Sequence, residues 1–183
     1  MNTSTKLGLW ILTIAGITTA ALWMIGGKEG EFSTELTINA SPETVFPYLV
    51  EPDHLKNWNS GLVDVARYDA PPQEQTLGPP AIKKTNRTIS IDGKQVQFDD
   101  QVIRFEENKL LSIQSTNSNA IRTAIFRLEP KGSVTQVTYR VKAVNCGFGR
   151  IMAPLQSDST KLRIDNDILQ LKELVEGTRA TIQ

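Results

Sequence analysis

Cysteine and histidine are nearly missing from this 183-residue chain, which holds one of each, Cys146 and His54. A lone cysteine closes no internal disulfide, and one histidine without a cysteine cluster argues against a zinc site. The sequence has no glycine-rich phosphate loop, metal-ligand cluster or nucleophile elbow. No motif therefore calls for a cofactor or names a catalytic residue. Charge of one sign is not in excess either: 20 basic residues face 20 acidic ones. So weak a field argues against nucleic acid as a partner. Internal repeats and low-complexity tracts are also missing.

A long uncharged run is present, at the N-terminus. Leu7 to Ile25, LGLWILTIAGITTAALWMI, is nineteen residues without a charge, close to what a helix needs to cross a hydrocarbon core about 30 Å thick. Trp10 and Trp23 lie near its two ends, where indole rings favour the headgroup level. The run continues past Ala20-Ala21 and no A-x-A site closes it. That pattern predicts an uncleaved single-pass transmembrane helix rather than a removed secretory signal. Lys6 and the N-terminal amine precede the span, which predicts an N-terminus in the cytoplasm and a domain on the outer, periplasmic side, the cytoplasmic side being the alternative. Residues 1–28 are read as the membrane anchor and its flanks, and 29–183 as one domain of about 155 residues.

Within that domain, Glu31 to Asn39 alternates Phe32, Thr34, Leu36 and Ile38 with polar residues, the period of a strand with one dry face. Ser41-Pro42-Glu43 then supplies a helix start: a hydroxyl cap, a proline suited to the first position and an acid at the positive dipole end. Pro47 removes a hydrogen bond from that helix and predicts a kink or a short helix. Glu51-Pro52-Asp53 ends it, with Asp53 as cap of a second short helix through Trp58. Strands are expected at 62–68, 81–91, 95–106, 109–116, 120–129 and 133–145, with Asp92-Gly93 as a hairpin turn. Asp69 to Pro80 carries four of the nine prolines and reads as a loop. Arg150 to Glu176 has the apolar spacing of an amphipathic helix ending before Gly177. The order predicts an α+β fold: a curved antiparallel sheet covered on one face by a long C-terminal helix.

The segment INASPETVFPYLVEPDHLKNW resembles the opening of the START-like, helix-grip superfamily, also called SRPBCC, which includes polyketide cyclase/dehydratase-like and lipid-transfer domains. The closing helix and the element order over about residues 31–178 share the resemblance. It implies a seven-stranded antiparallel sheet gripping the C-terminal helix around a hydrophobic cavity, and a small hydrophobic ligand as partner: a lipid, quinone or polyketide-like molecule. Pro47 and the apolar N-terminal run are departures from that pattern.

Strand parity and the expected cavity together select the candidate ligand-binding residues. Tyr139 and Val141 share one face of the last strand; in the strand before it either Ala124, Phe126 and Leu128 or Thr123, Ile125 and Arg127 could face inwards, and Phe126 is chosen because its set is uniformly apolar. Phe98 and Phe105 have opposite parity in one strand, so a bulge near Asp99-Asp100 is expected to turn both inwards. Met152, Leu155 and Leu162 of the C-terminal helix complete the expected lining. Trp58 either faces the pocket or packs the short helices onto the sheet. Asp158 and Arg104 are read as solvated edge charges, and His54 as a surface residue. Three functions follow: a membrane-tethered binder of a hydrophobic ligand, a cyclase/dehydratase-like enzyme using the same pocket, and a protein-interaction domain presenting the sheet or the proline-rich loop.

Overall fold

The alternation along Glu31–Asn39 is realised as β1, Gly30–Ile38, with Phe32, Thr34, Leu36 and Ile38 turned inwards. The structure is a computed structural model, and it describes residues 3–27, 29–69, 84–91 and 93–182. The loop expected at 69–80 lies outside the described residues apart from Asp69, as does Asp92 of the expected hairpin turn. Preceding β1 is α1, Thr3–Gly26, and after β1 come α2, Pro42–Val45, α3, Pro47–Val50, and α4, Pro52–Trp58. The remaining strands are β2, Leu62–Val65, β3, Lys84–Ile91, β4, Lys94–Glu106, β5, Leu110–Thr116, β6, Ala120–Lys131, and β7, Val134–Asn145. The last element is α5, Gly149–Ile182.

All seven strands form one antiparallel sheet in the order β1-β7-β6-β5-β4-β3-β2. Every sequential pair from β2 to β7 is a neighbour, and β1 closes onto β7 with Phe32 opposite Val141 and Thr34 opposite Tyr139. The α5 helix packs over β1 and β7 and against α4. Its buried residues Ile164, Ile168, Leu171 and Val175 recur at helical spacing, and burying each contributes about 1.5–3 kcal/mol. This stripe is what fixes the helix to the sheet.

Several expectations are corrected. The bulge in β4 falls between Val102 and Arg104, not at Asp99-Asp100; three residues further on, it still turns Phe98 and Phe105 to the same side. Asp53 stands in the first turn of α4, whose N-cap is Glu51. As expected, Pro47 breaks the first helix, which becomes two single turns with Pro47 at the start of the second, because its ring excludes the amide that a continuous helix would use. The α5 helix continues through Gly177 to Ile182; a helical glycine costs only about 1 kcal/mol. Of its two apolar sets, Leu162 and Leu169 point to solvent, since only the set containing Ile164 meets the sheet.

The apolar N-terminal run folds as the helix expected. Among the described residues, however, no helix is long and apolar enough to cross a membrane. The end of α1 lies against the start of α5: the Arg150 guanidinium stands 5.3 Å from the Trp23 ring centre, and a β-carbon on Gly26 would overlap the Arg150 carbonyl.

Candidate functional site

A cavity of about 290 Å³ lies between the sheet, the short helices and α5. Its aromatic wall begins with Trp58, which is 1 % exposed and whose indole Nε1–H donates to the Tyr48 carbonyl at 2.8 Å. That bond supplies the partner a buried indole requires. Trp58 meets the Phe126 ring edge-on at 6.1 Å between centres, and Phe126 stacks on Tyr139 at 4.2 Å and 4°. The pairing register places Phe126 opposite Tyr139 and Ala124 opposite Val141, so cross-strand neighbours build one continuous surface. Trp58 is thus both core residue and cavity wall.

Of the nine residues expected to line the cavity, the structure brings four together there, Trp58, Phe126, Tyr139 and Val141, and turns Leu162 to solvent. Phe98 is buried behind the lining, 5.2 Å and 5.7 Å from the Arg87 and Arg122 guanidinium carbons. Phe105 packs edge-on against Phe46 at 5.3 Å and belongs to the core beneath the short helices. Met152 is half-buried on α5 while its neighbours Ala153 and Pro154 line the cavity. The Leu155 side chain lies outside the described residues. Arg104 is exposed and paired with Glu106, and His54 lies against Tyr48 with ring centres 4.3 Å apart.

Sequence reasoning missed the polar part of the cavity. Asp100 has a fully buried side chain whose Oδ2 accepts from the Tyr68 hydroxyl at 2.6 Å and from Arg87 Nε at 2.7 Å. Arg87 also donates through Nη2 to Ser115 Oγ at 2.9 Å. Burial opposes the charge on Arg87, but the charge and hydrogen bond of Asp100, together with Tyr68 and Tyr139, lift its pKa above the ordinary value. The Tyr68 hydroxyl is pushed well above its usual range, first by burial and then by the negative charge of Asp100. It is therefore a permanent donor. Asp100 Oδ1, by contrast, has no hydrogen-bond partner among the described residues.

Arg122 and Arg163 also line the cavity. Burial, followed by the positive charges of Arg163 and Arg87, depresses the pKa of Arg122. Asp167, one turn along α5 from Arg163, accepts from the Ser60 backbone at 3.0 Å, and burial raises its pKa. The signal for Arg122 was in the strand: it has the parity of Ala124 and Phe126, and the alternation that turns those inwards turns it inwards too. Asp100 shares parity with Phe98 in the same way. Among the described residues, no group of histidine, cysteine and carboxylate side chains is arranged to hold a metal.

Comparison with known proteins agrees with this architecture. Residues 29–176 match the family described as polyketide cyclase / dehydrase and lipid transport. Among solved structures, a Staphylococcus aureus protein of unknown function, SA2116, superposes with a TM-score of 0.64 at 11% identity, covering 84% of this chain and 97% of that one. The Thermus thermophilus protein TTHA0849 gives 0.61 at 16% identity, covering 81% and 99%. CV1439 of Chromobacterium violaceum gives 0.59 at 16%, covering 80% and 96%. These likenesses establish the fold alone. No curated protein matches the chain. With a family match spanning nearly everything after α1, and the seven-stranded sheet closed by a C-terminal helix, the chain belongs to the polyketide cyclase / dehydrase and lipid transport family.

Proposed function

We propose that this protein is a membrane-tethered binder of one small hydrophobic ligand, held between the sheet and α5. The observation that carries the reading is the cavity of about 290 Å³ with its wall of Trp58, Phe126 and Tyr139. Ligand sites are concave and mostly apolar, with a few placed polar groups, and this volume stands at the small end of their range. It suits a ring system or a short chain better than a two-tailed phospholipid.

Support for the tether comes from α1. Trp10, Ile11, Leu12, Ile14, Ile17 and Met24 are each more than half exposed, an arrangement that water disfavours and a bilayer satisfies. Phe148, beside the start of α5 where α1 packs, is 64% exposed as well. The cavity is bordered at one end by Ile25, Gly26 and Gly30, so a tethered domain would hold that end near the lipid and raise the rate of ligand encounter. Lys6 ahead of the apolar run favours a domain on the outer side over one on the cytoplasmic side.

Solvent extraction of the purified full chain followed by mass spectrometry tests the reading: a stoichiometric apolar molecule is expected, and repeated recovery of none contradicts it. For the tether, the chain should stay with membranes through alkaline carbonate washing and lose that property on deletion of residues 1–28. Protease added to sealed vesicles then reports the side. A second reading, a cyclase/dehydratase-like enzyme, has one observation in its favour: Asp100 lines the cavity, its buried Oδ1 has no partner among the described residues, and it would be the group to exchange a proton. Turnover of an added polyketone, abolished by Asp100→Asn, would select that reading.

A further inference from the structure

The chemistry of the cavity narrows the class of ligand. Three donors line it without a hydrogen-bond or ion-pair partner among the described residues: the guanidinium groups of Arg122 and Arg163 and the Tyr139 hydroxyl. Arg163 Nε is buried as well as unpartnered. Buried donors in native proteins are nearly always satisfied, and an arginine cannot escape by losing its proton. Other cations do not help. Arg122 is pressed by Arg163 and Arg87, and Arg87 is already matched by Asp100. Asp167, next to the lining, accepts from the Ser60 backbone and attracts Arg163 without forming a close ion pair with it. Of the charges that line the cavity, Arg87 is matched by Asp100 and Glu29 is paired with Lys142, which leaves Arg122 and Arg163 without an ion-pair partner in the lining.

We infer that the ligand is an amphiphile with an apolar body against Trp58, Phe126 and Tyr139 and a single anionic group, carboxylate or phosphate, received by Arg122 and Arg163. Water could satisfy the donors but would leave the excess charge uncompensated; an anion satisfies both. Two oxygens on one acidic group suit planar guanidinium donors in particular. A hydroxyl elsewhere on the same ligand would be received by Asp100 Oδ1. This inference rests on the binding function proposed above and specifies its ligand class.

The test is calorimetric titration of the purified full chain in neutral phosphatidylcholine bilayer discs, with protein-free discs as the partition control. The probes are 2-naphthoate and 2-naphthylmethanol, which share a ring system and differ in charge, with 2-naphthyl phosphate to separate phosphate from carboxylate. An anionic probe should bind about tenfold more tightly than the alcohol, and Arg122→Gln and Arg163→Gln should each narrow that ratio. Equal affinities for the anions and the alcohol would overturn the inference and leave the apolar pocket standing. Binding of no probe would overturn both. The wild-type ratio decides the matter even where a variant fails to fold, and a ratio that survives both substitutions in folded protein contradicts the assignment of these two arginines.

Discussion

Asp100 shows what a single buried charge does in this molecule. Its carboxylate is removed from water and held by Arg87 and Tyr68, so the two partners should respond differently to substitution. Arg87→Met leaves a buried anion uncompensated and should destabilise the fold by about 3–5 kcal/mol; Tyr68→Phe removes one bond to a charged group and should cost about 1.5–3 kcal/mol. Urea denaturation of the two variants checks the order. Tyr139 carries a pH prediction. Burial first, and the charge of Asp167 second, push its pKa up to about 12 from an ordinary 10.0. The folded state keeps that proton where the unfolded chain releases it, so the stability it contributes is complete below pH 10 and is lost as pH rises through about 12. Denaturation midpoints should fall over that window, and less steeply in Tyr139→Phe. At this scale the sequence was half legible. Parity placed Tyr139, Val141 and Phe126 because apolar alternation is a one-sided signal, but the same rule applied to Arg122 and Asp100 conflicts with the expectation that charges face water.

Among the elements, turns rather than strands hold the sharpest predictions. Gly61 has a φ of +77°, and a β-carbon there would meet the Ser90 carbonyl oxygen at 2.5 Å; the Gly61 carbonyl in turn accepts from the Ser90 amide at 2.7 Å. Gly93 has a similar φ, +74°, with open space around it. Gly93→Ala should therefore cost only the left-handed strain, about 1–2 kcal/mol, whereas Gly61→Ala adds a backbone clash and should lower the denaturation midpoint further. Equal losses would show that the approach of β2 to β3 is not tight. Apart from β2, which was expected to reach 68 and stops at Val65, the strands were legible almost to their ends, since period-two alternation and turn residues are both local. The position of the β4 bulge was not, because it is decided by the register against β5. For α5, two apolar sets competed in the sequence, and only contact with the sheet selects between them.

At the scale of the whole molecule, the proposed function is a matter of how the elements enclose one cavity. The sheet supplies the wall, α5 and the short helices supply the cover, and the apolar α1 is positioned at one end of the cavity. Neither the cavity's volume nor its polar end could be read from sequence, since a hollow and a filled core obey the same hydrophobic pattern. The proposed binding depends on that hollow. Ala124 lines it between Phe126 and Arg122, so Ala124→Phe would fill it from within. Calorimetric titration of 2-naphthylmethanol into the wild-type full chain and the Ala124→Phe chain is the most direct test. Uptake by the wild type and none by the variant, at an undiminished melting temperature, is the predicted result; equal uptake by both would place the ligand elsewhere and contradict the account.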